Sequence, residues 1–265
     1  MKSYYILLIL LGLTSAKPTA RIVGGKDVDR PGKYPWQGSL QSFNNYHICG
    51  AVVISSKYVL SSALCTVNQT PATRKIILGM HDEDTRLLGN PTDYLIEKIT
   101  NHPNYSPGPP YYWGNDISVL TIQGMIDLND PYVKAITMAD ENSPDFTSNE
   151  NCIMTGWGSL YGFGPYPNIL QEANFHVLTR EECEISRPGQ IFDNHLCIGN
   201  KATGGNSFCT ADNGGPLACP ISAGDWILAG IASIANANCT TQQASLCARV
   251  GNPGIRSFIR NITSL

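Results

Sequence analysis

Three observations predict an all-β protein, a sandwich or a barrel. Between residues 34 and 250 the apolar residues come in short bursts (AVVIS, KYVLSSA, KIILG, DISVLTI, NCIMTGW, ANFHVL and WILAGIAS) separated by Gly, Pro, Asn and Asp clusters, the pattern of strands joined by turns. The 265 residues include 25 Gly and 17 Pro, with 42% hydrophobic but only 15% charged residues, which suits a turn-rich globular chain and excludes a coiled coil or a disordered tail. Helical periodicity is confined to REECEIS near residue 180 and FIRNITSL at the C-terminus. The length allows two small packed units or one large one, either able to bury a core without metal. The stretch from Gln123 to Asn151, rich in Asp, Asn, Pro and Ser, is the expected linker between two β units.

Taken from the N-terminus, Lys2 precedes an apolar run from Tyr4 to Leu13 that ends in the small residues Ser15 and Ala16. This reads as a secretory signal peptide over residues 1–16. The run is too short to cross a bilayer core of roughly 30 Å, so a secreted, extracellular protein with no membrane partner is expected. The net charge of −3 moves to about −6 when residues 1–21 are removed, because they hold Lys2, Lys17 and Arg21 and no carboxylate. A basic face for phosphate is therefore not expected, and nucleic acid is excluded as a partner.

Export makes disulfides the first reading of the nine cysteines, Cys49, Cys65, Cys152, Cys183, Cys197, Cys209, Cys219, Cys239 and Cys247. Nine is odd, so one is left over. No C-x-x-C pair occurs and the five histidines at 47, 81, 102, 176 and 195 are scattered, so neither a metal site nor another cofactor is expected. Four N-x-[ST] sequons, at Asn68, Asn104, Asn238 and Asn261, are glycan candidates. One or two are expected to be buried or skipped, with Asn238 the doubtful one because Cys239 follows it.

KPTAR followed by IVGG (Ile22–Gly25) resembles the activation junction of the trypsin/chymotrypsin family of serine peptidases. The motifs WQGSL, HICGAVVIS, YVLSSALC, NHPNY, GNDISVL, MTGWGSL, DNHLCIG, FCTADNGGPLAC, LAGIAS and CARVGNPGI keep that family's order along almost the whole mature chain. The resemblance implies a trypsin-like double six-stranded antiparallel β-barrel with a short C-terminal helix and a site in the cleft between the barrels. It implies an activation propeptide at 17–21, an N-terminal barrel over 22–130 and a C-terminal barrel with the terminal helix over 131–265. It also implies disulfides Cys49–Cys65, Cys152–Cys219, Cys183–Cys197 and Cys209–Cys247, with Cys239 unpaired.

The chain departs from the family where the chemistry belongs. Peptide hydrolysis of this type needs a serine hydroxyl, an imidazole that takes and returns its proton, and a carboxylate that orients the imidazole. Asp116 in GNDISVL keeps the carboxylate. Leu64 in SSALC stands at the general-base position, and a butyl group has no lone pair. Asn213 in ADNGGP stands at the nucleophile, and a carboxamide nitrogen is delocalised into its carbonyl. Ala211 replaces the glycine of the oxyanion hole. If that position needs a positive φ, its Cβ costs about 1 kcal/mol or more, or the peptide flips and turns away its N–H.

The specificity pocket assigned by the resemblance comprises Ser207 at its base, where trypsins carry Asp, bulky Phe208, the wall Ser233, Ile234 and Ala235, and Gly254. Thirteen residues, Ile234 to Leu246, separate Ser233 from Cys247, far more than the family's spacing. They read as an insertion over a narrowed or closed pocket mouth. Arg21 before Ile22 is a trypsin-type cleavage site, and Asp212 is the residue whose carboxylate pairs with the freed amine in the family. The ion pair is either still formed or merely inherited.

Among the remaining candidates, His47 and His102 match structural histidines of the family, and His47 makes a poor replacement base. The loop LGMHDEDTRLLGN has Met80, Pro91 and Thr92 near positions where calcium-binding trypsins carry ligands, so Asp82, Glu83 and Asp84 read as a solvated acidic loop. The segment with Pro107, Pro109, Pro110, Tyr111, Tyr112 and Trp113 reads as an ordinary aromatic loop, with a protein anchor as the alternative. Cys239 is left as a free thiol, a mixed disulfide or the bridge of a dimer, so the chain is a monomer or a disulfide-linked dimer.

These residues lead to a catalytically inactive serine protease homologue that acts by protein binding. It is similar to the inactivated mite serine protease paralogues related to the group 3 allergens, which implies interference with a protease cascade such as host complement. The alternatives are a regulatory cofactor of an active peptidase or an endopeptidase with unconventional machinery.

Overall fold

The computed structural model of the chain describes residues 24–86, 88–108, 114–143, 146–147, 151–199, 207–222, 224–235, 238–239 and 243–265. The expected signal segment 1–16 and propeptide 17–21, with Arg21 and Ile22, and the aromatic cluster at 109–113 lie outside the described residues.

A two-residue strand β1 (Lys26–Asp27) precedes β2 (Gln37–Gln41), β3 (His47–Val53), β4 (Tyr58–Ser61), β5 (Lys75–Met80), β6 (Gly89–Asn101) and β7 (Ser118–Ile122). Strands β2 to β7 close an antiparallel barrel in the order β2-β3-β4-β7-β6-β5. After β8 (Thr137–Met138) come β9 (Cys152–Gly156), β10 (Gln171–Val177), β11 (His195–Gly199), β12 (Pro216–Ser222), β13 (Asp225–Ile234) and β14 (Ser245–Arg249). The order β10-β11-β14-β13-β12-β9, with β9 also paired to β10, closes a second antiparallel six-stranded barrel. Its flanks are extended by β1 on β10 and by β8, parallel, on β13. The expected all-β fold with two such barrels is the observed one.

The apolar bursts become strands because their side chains fill the barrels. Leu40, Ala51, Ile76, Leu78 and Leu120 belong to one core cluster, and Met154, Phe175, Leu217 and Ala229 to another. The long strand β6 lies outside the expected bursts. Its sequence GNPTDYLIEKITN buries only Ile96 below one-tenth exposure, so its hydrophobic signal is thin and its pairing with β5 and β7 holds it in place.

Two helices fall where periodicity is present. Helix α1 (Ala63–Thr66), a single turn in SSALC, is not foreshadowed by periodicity. Helix α2 (Arg180–Ser186) begins with a capping box, Thr179 accepting from the Glu182 N–H while the Glu182 side chain accepts from the Thr179 N–H. Helix α3 (Pro253–Thr263) is capped by Asn252 with Pro253 at its first position. It buries Ile255 and Ile259, and Phe258 packs 4.7 Å from the His102 ring of the first barrel.

The barrels meet at glycine. A Cβ on Gly50 of β3 would lie 2.5 Å from the Gly215 backbone, and the Gly50 N–H donates to the Asn213 carbonyl at 2.8 Å. Any side chain at Gly50 would force the barrels apart.

Three of the four expected disulfides are present, Cys49–Cys65, Cys152–Cys219 and Cys183–Cys197. The fourth is corrected: Cys209 bonds Cys239, with Cα atoms 5.1 Å apart, and Cys247 is the unpaired cysteine. Cys247 lies mid-strand in β14, flanked by Leu196 of β11 and Ala232 of β13, and its side chain abuts Gly230 inside the second barrel. It is fully buried, and burial holds its thiol well above the ordinary range. Cys239 is therefore neither a free thiol nor available to bridge a dimer.

All four sequon asparagines, Asn68, Asn104, Asn238 and Asn261, are exposed, so burial sets none of them aside. Among the described residues no helix is long and apolar enough to cross a membrane. Thiol titration of the oxidised protein is expected to find no reactive thiol in the native state and one after denaturation. Peptide mapping should recover a Cys209–Cys239 pair, and a Cys209–Cys247 peptide would overturn this assignment.

Candidate functional site

Asp116 lies at the barrel junction, fully buried just ahead of β7. Its Oδ1 accepts from the Ser62 hydroxyl at 2.7 Å and the Leu64 N–H at 2.8 Å, and its Oδ2 from the Ser233 hydroxyl at 2.6 Å. The Ala63 N–H also donates to it. Burial pushes this carboxyl above its ordinary range, and the four donors offset that only in part. Ser62 reaches it because it is the N-cap of α1, its oxygen accepting from the Leu64 N–H at 3.1 Å. Leu64 follows in that turn with 39% of its surface exposed. Asn213 donates its side-chain N–H to the Ser233 carbonyl.

The structure thus links Leu64 to Asp116 through its backbone N–H, and Asn213 to Asp116 through Ser233. The roles of Ser62 and Ser233 toward Asp116 were not legible beforehand. The sequence places Ser233 only in the pocket wall, and the paired hydroxyls of SSALC are the signal for Ser62.

Ala211 adopts a positive φ of 73°, so strain, not a flipped peptide, is the outcome. Its carbonyl lies 3.0 Å from His47 Nε2, and His47 Nδ1 lies 2.7 Å from the Ser39 hydroxyl. Both ring nitrogens are engaged, the ring packs edge-on against Trp157, and burial holds the imidazole down at about 4. His47 is thus a positioning residue for the 211 peptide. Among the described residues neither the Ala211 nor the Asn213 N–H has a hydrogen-bond partner.

Asp212 is fully buried, with Oδ1 accepting from the Gly158 N–H and Oδ2 from the Cys209 N–H, each at 2.9 Å. A Cβ on Gly156 or Gly158 would lie within 2.4 Å of this carboxyl group, so glycine is required beside it. Burial pushes the carboxyl up to about 7, and no cation faces it among the described residues.

In the pocket region Ser207 is buried and its hydroxyl donates to the Phe208 carbonyl at 2.9 Å. Phe208 is fully buried in the cluster that contains Met154, Phe175 and Cys247. Half-buried Ile234 and Ala235 pack on neighbouring clusters. Two expectations are corrected here. Gly254 lies in the first turn of α3, exposed and donating to Asn252 Oδ1, so it does not line the pocket. Counted to the cysteine that closes the bridge, only the five residues Ile234 to Asn238 follow Ser233, so the long insertion does not exist. It arose from assigning the bridge to Cys247.

The acidic loop is occupied locally: Asp82 Oδ1 accepts from the Asp84 and Thr85 N–H groups, and Glu83 accepts from the His47 N–H. Among the described residues no cluster of three metal-ligating side chains occurs.

Replacing Ala211 by Gly is expected to relieve about 1 kcal/mol of left-handed strain, a rise in Tm of about 2–4 °C for a chain of this size, readable by calorimetry. Asp212 sets a pH dependence in the chain uncleaved after Arg21. Its folded-state carboxyl holds a proton up to about 7, whereas the ordinary value is 3.8. Its contribution to stability is present in full below the ordinary value and is lost as pH rises through the folded one. Asp212→Asn should remove this fall in Tm between those two values, and parallel wild-type and variant profiles would contradict it.

The profile of the family described as Trypsin matches residues 22–253. The chain is 36% identical over 222 residues to ovochymase-2 of Mus musculus, covering 81% of this chain and 35% of that protein. It is 34% identical over 206 residues to the fibrinolytic enzyme, isozyme C, of Lumbricus rubellus, covering 75% of this chain and 82% of that one. The atrial natriuretic peptide-converting enzyme of Mus musculus is 31% identical over 254 residues, 92% of this chain but 21% of that protein. The chain thus spans about a third and a fifth of the length of the two mouse proteins. The solved structure of neuropsin, a serine protease of mouse brain, superposes with a TM-score of 0.75 at 25% identity, covering 89% of this chain and 97% of that one. With this barrel pair and these matches, the chain belongs to the trypsin family of serine proteases.

Proposed function

We propose that this chain is a secreted trypsin-family homologue without peptidase activity that acts by binding protein, as a decoy or modulator of a protease cascade such as host complement. One observation carries the reading. The Asp116 carboxylate, which the chemistry would use to orient an imidazole, accepts from the backbone N–H of Leu64 and from the hydroxyl of Ser233, whose carbonyl accepts from Asn213, and the side chains at positions 64 and 213 are a butyl group and a carboxamide. Neither takes a proton near neutral pH nor attacks a carbonyl, and loss of such a triad removes on the order of a million-fold in turnover. Buried Ser207 and Phe208 support a narrowed specificity pocket. Secretion is supported by the four disulfides.

A second reading, a regulatory cofactor that assembles with an active peptidase after cleavage at Arg21, is favoured by Asp212, a buried carboxyl with no cation opposite it among the described residues. A freed α-amino group, cationic at neutral pH with a pKa near 8, suits that position. The third reading, an unconventional peptidase using Cys239, loses its nucleophile to the Cys209–Cys239 bridge.

The deciding experiment is fluorophosphonate labelling and casein hydrolysis on protein with a free Ile22 amine, beside the triple variant Leu64→His/Asn213→Ser/Ala211→Gly. Inert wild type with activity rescued in the variant is the expected result, and hydrolysis by wild type would sink the proposal. Arg21→Gln should abolish function if the chain is a cofactor and leave it intact if the chain is a decoy.

A further inference from the structure

A cavity of about 590 Å³ opens beside β1 on the second barrel, outside the site described above. Its volume suits a small organic ligand. Three cations line it, Lys26, Arg30 and Lys33, against one carboxylate, Glu172. Glu172 is 5% exposed, and its oxygens are already taken. The Tyr34 hydroxyl donates to it at 2.5 Å, Lys33 approaches to 2.9 Å and Lys26 to 3.3 Å. Burial pushes this carboxyl up, and the hydrogen bonds from Tyr34, Lys33 and Lys26 outweigh that and hold it below its ordinary range. Glu172 therefore gathers two ammonium groups about one charge and cancels only one of them. Asp29 lies 3.5 Å from Lys33 and is 68% exposed. Arg30 is exposed and has no ion pair among the described residues. Each ammonium carries three N–H donors and the guanidinium five, so donors remain for an incoming anion.

The same cavity also has apolar lining. Trp226 and Ile153 contribute it, and the Trp226 ring packs against Trp36, with ring centroids 6.4 Å apart. A ligand that satisfies both kinds of lining has an anionic substituent on a compact body with an apolar face.

We propose that this cavity binds an acidic saccharide, its sulfate or carboxylate held by Lys26, Lys33 and Arg30 while the C–H face of its ring lies on Trp226. The site is independent of the catalytic cleft and of the proposed decoy role.

The test is isothermal titration of the full chain with a heparin-derived tetrasaccharide, with maltotetraose as the uncharged control. Saturable binding is expected at low salt, weakening as salt screens the cations, with no binding of maltotetraose. Arg30→Gln and Lys33→Gln should each weaken binding about ten-fold, the worth of a hydrogen bond to a charged group. Trp226→Phe should weaken it about three-fold through lost ring surface. Lys98→Gln, an exposed lysine outside the cavity, should leave it unchanged. Because Lys33 is tied to Glu172, Arg30→Glu serves as a second variant in which no ion pair is broken, and it should bind more weakly than Arg30→Gln. Absence of saturable binding, equal binding by the Arg30 variants and wild type, or an equal loss in Lys98→Gln would overturn the site. Equal affinity for a tyrosine-sulfated peptide would overturn the saccharide assignment.

Discussion

The buried carboxylate of Asp116 is the constraint around which the junction of the two barrels is arranged. A charge with no solvent contact must be met by donors, and leaving one uncompensated costs several kcal/mol. Here the donors come from both sides: Ser62, Ala63 and Leu64 at the α1 turn of the first barrel, Ser233 on β13 of the second. Satisfying one group therefore fixes the relative position of two barrels. Gly50 completes the arrangement by letting the backbones approach where a Cβ would meet Gly215 at 2.5 Å. Two of these donors, at Ala63 and Leu64, are backbone N–H groups, so they hold the acid whatever side chain stands at position 64.

A second group of backbone features rests on the same junction. Ala211 occupies left-handed space at φ 73°, a conformation that disfavours any Cβ and persists only where surroundings over-determine it. Those surroundings are visible: His47 grips the Ala211 carbonyl, and Asp212 is clamped by the Gly158 and Cys209 N–H groups. The Cys209–Cys239 bridge anchors the same segment. The loop keeps its shape through groups that need no hydroxyl nucleophile.

Charge is distributed unevenly over a chain whose net value is −3. Two ammonium groups gather around buried Glu172 in a cavity that Arg30 and Trp226 also line, while the carboxylates of Asp82 and Glu83 accept from their own turn and from the His47 N–H. The net value alone hides a local cationic face, because surface fields are set by neighbours within a Debye length of about 10 Å.

Much of the fold was legible in the sequence because strands that fill a barrel must be apolar in short runs, as in KIILG and WILAGIAS, and because turns demand Gly, Pro, Asn and Asp. Asp116, Leu64 and Asn213 could be placed by motif order, since each motif keeps its neighbours. β6 was missed, because a strand with one deeply buried side chain leaves little hydrophobic signal. The partner of Cys209 was also beyond the sequence: two cysteines eight residues apart, Cys239 and Cys247, compete for it, and only the tertiary structure puts one within bridging distance and seals the other inside β14. The sequence by itself determined which elements form and which side chains stand at the cleft, because these depend on local propensity and neighbouring residues. The tertiary structure decided the donors to Asp116, the bridge to Cys209 and the gathering of cations around Glu172, because each joins residues far apart in the chain that only packing brings together.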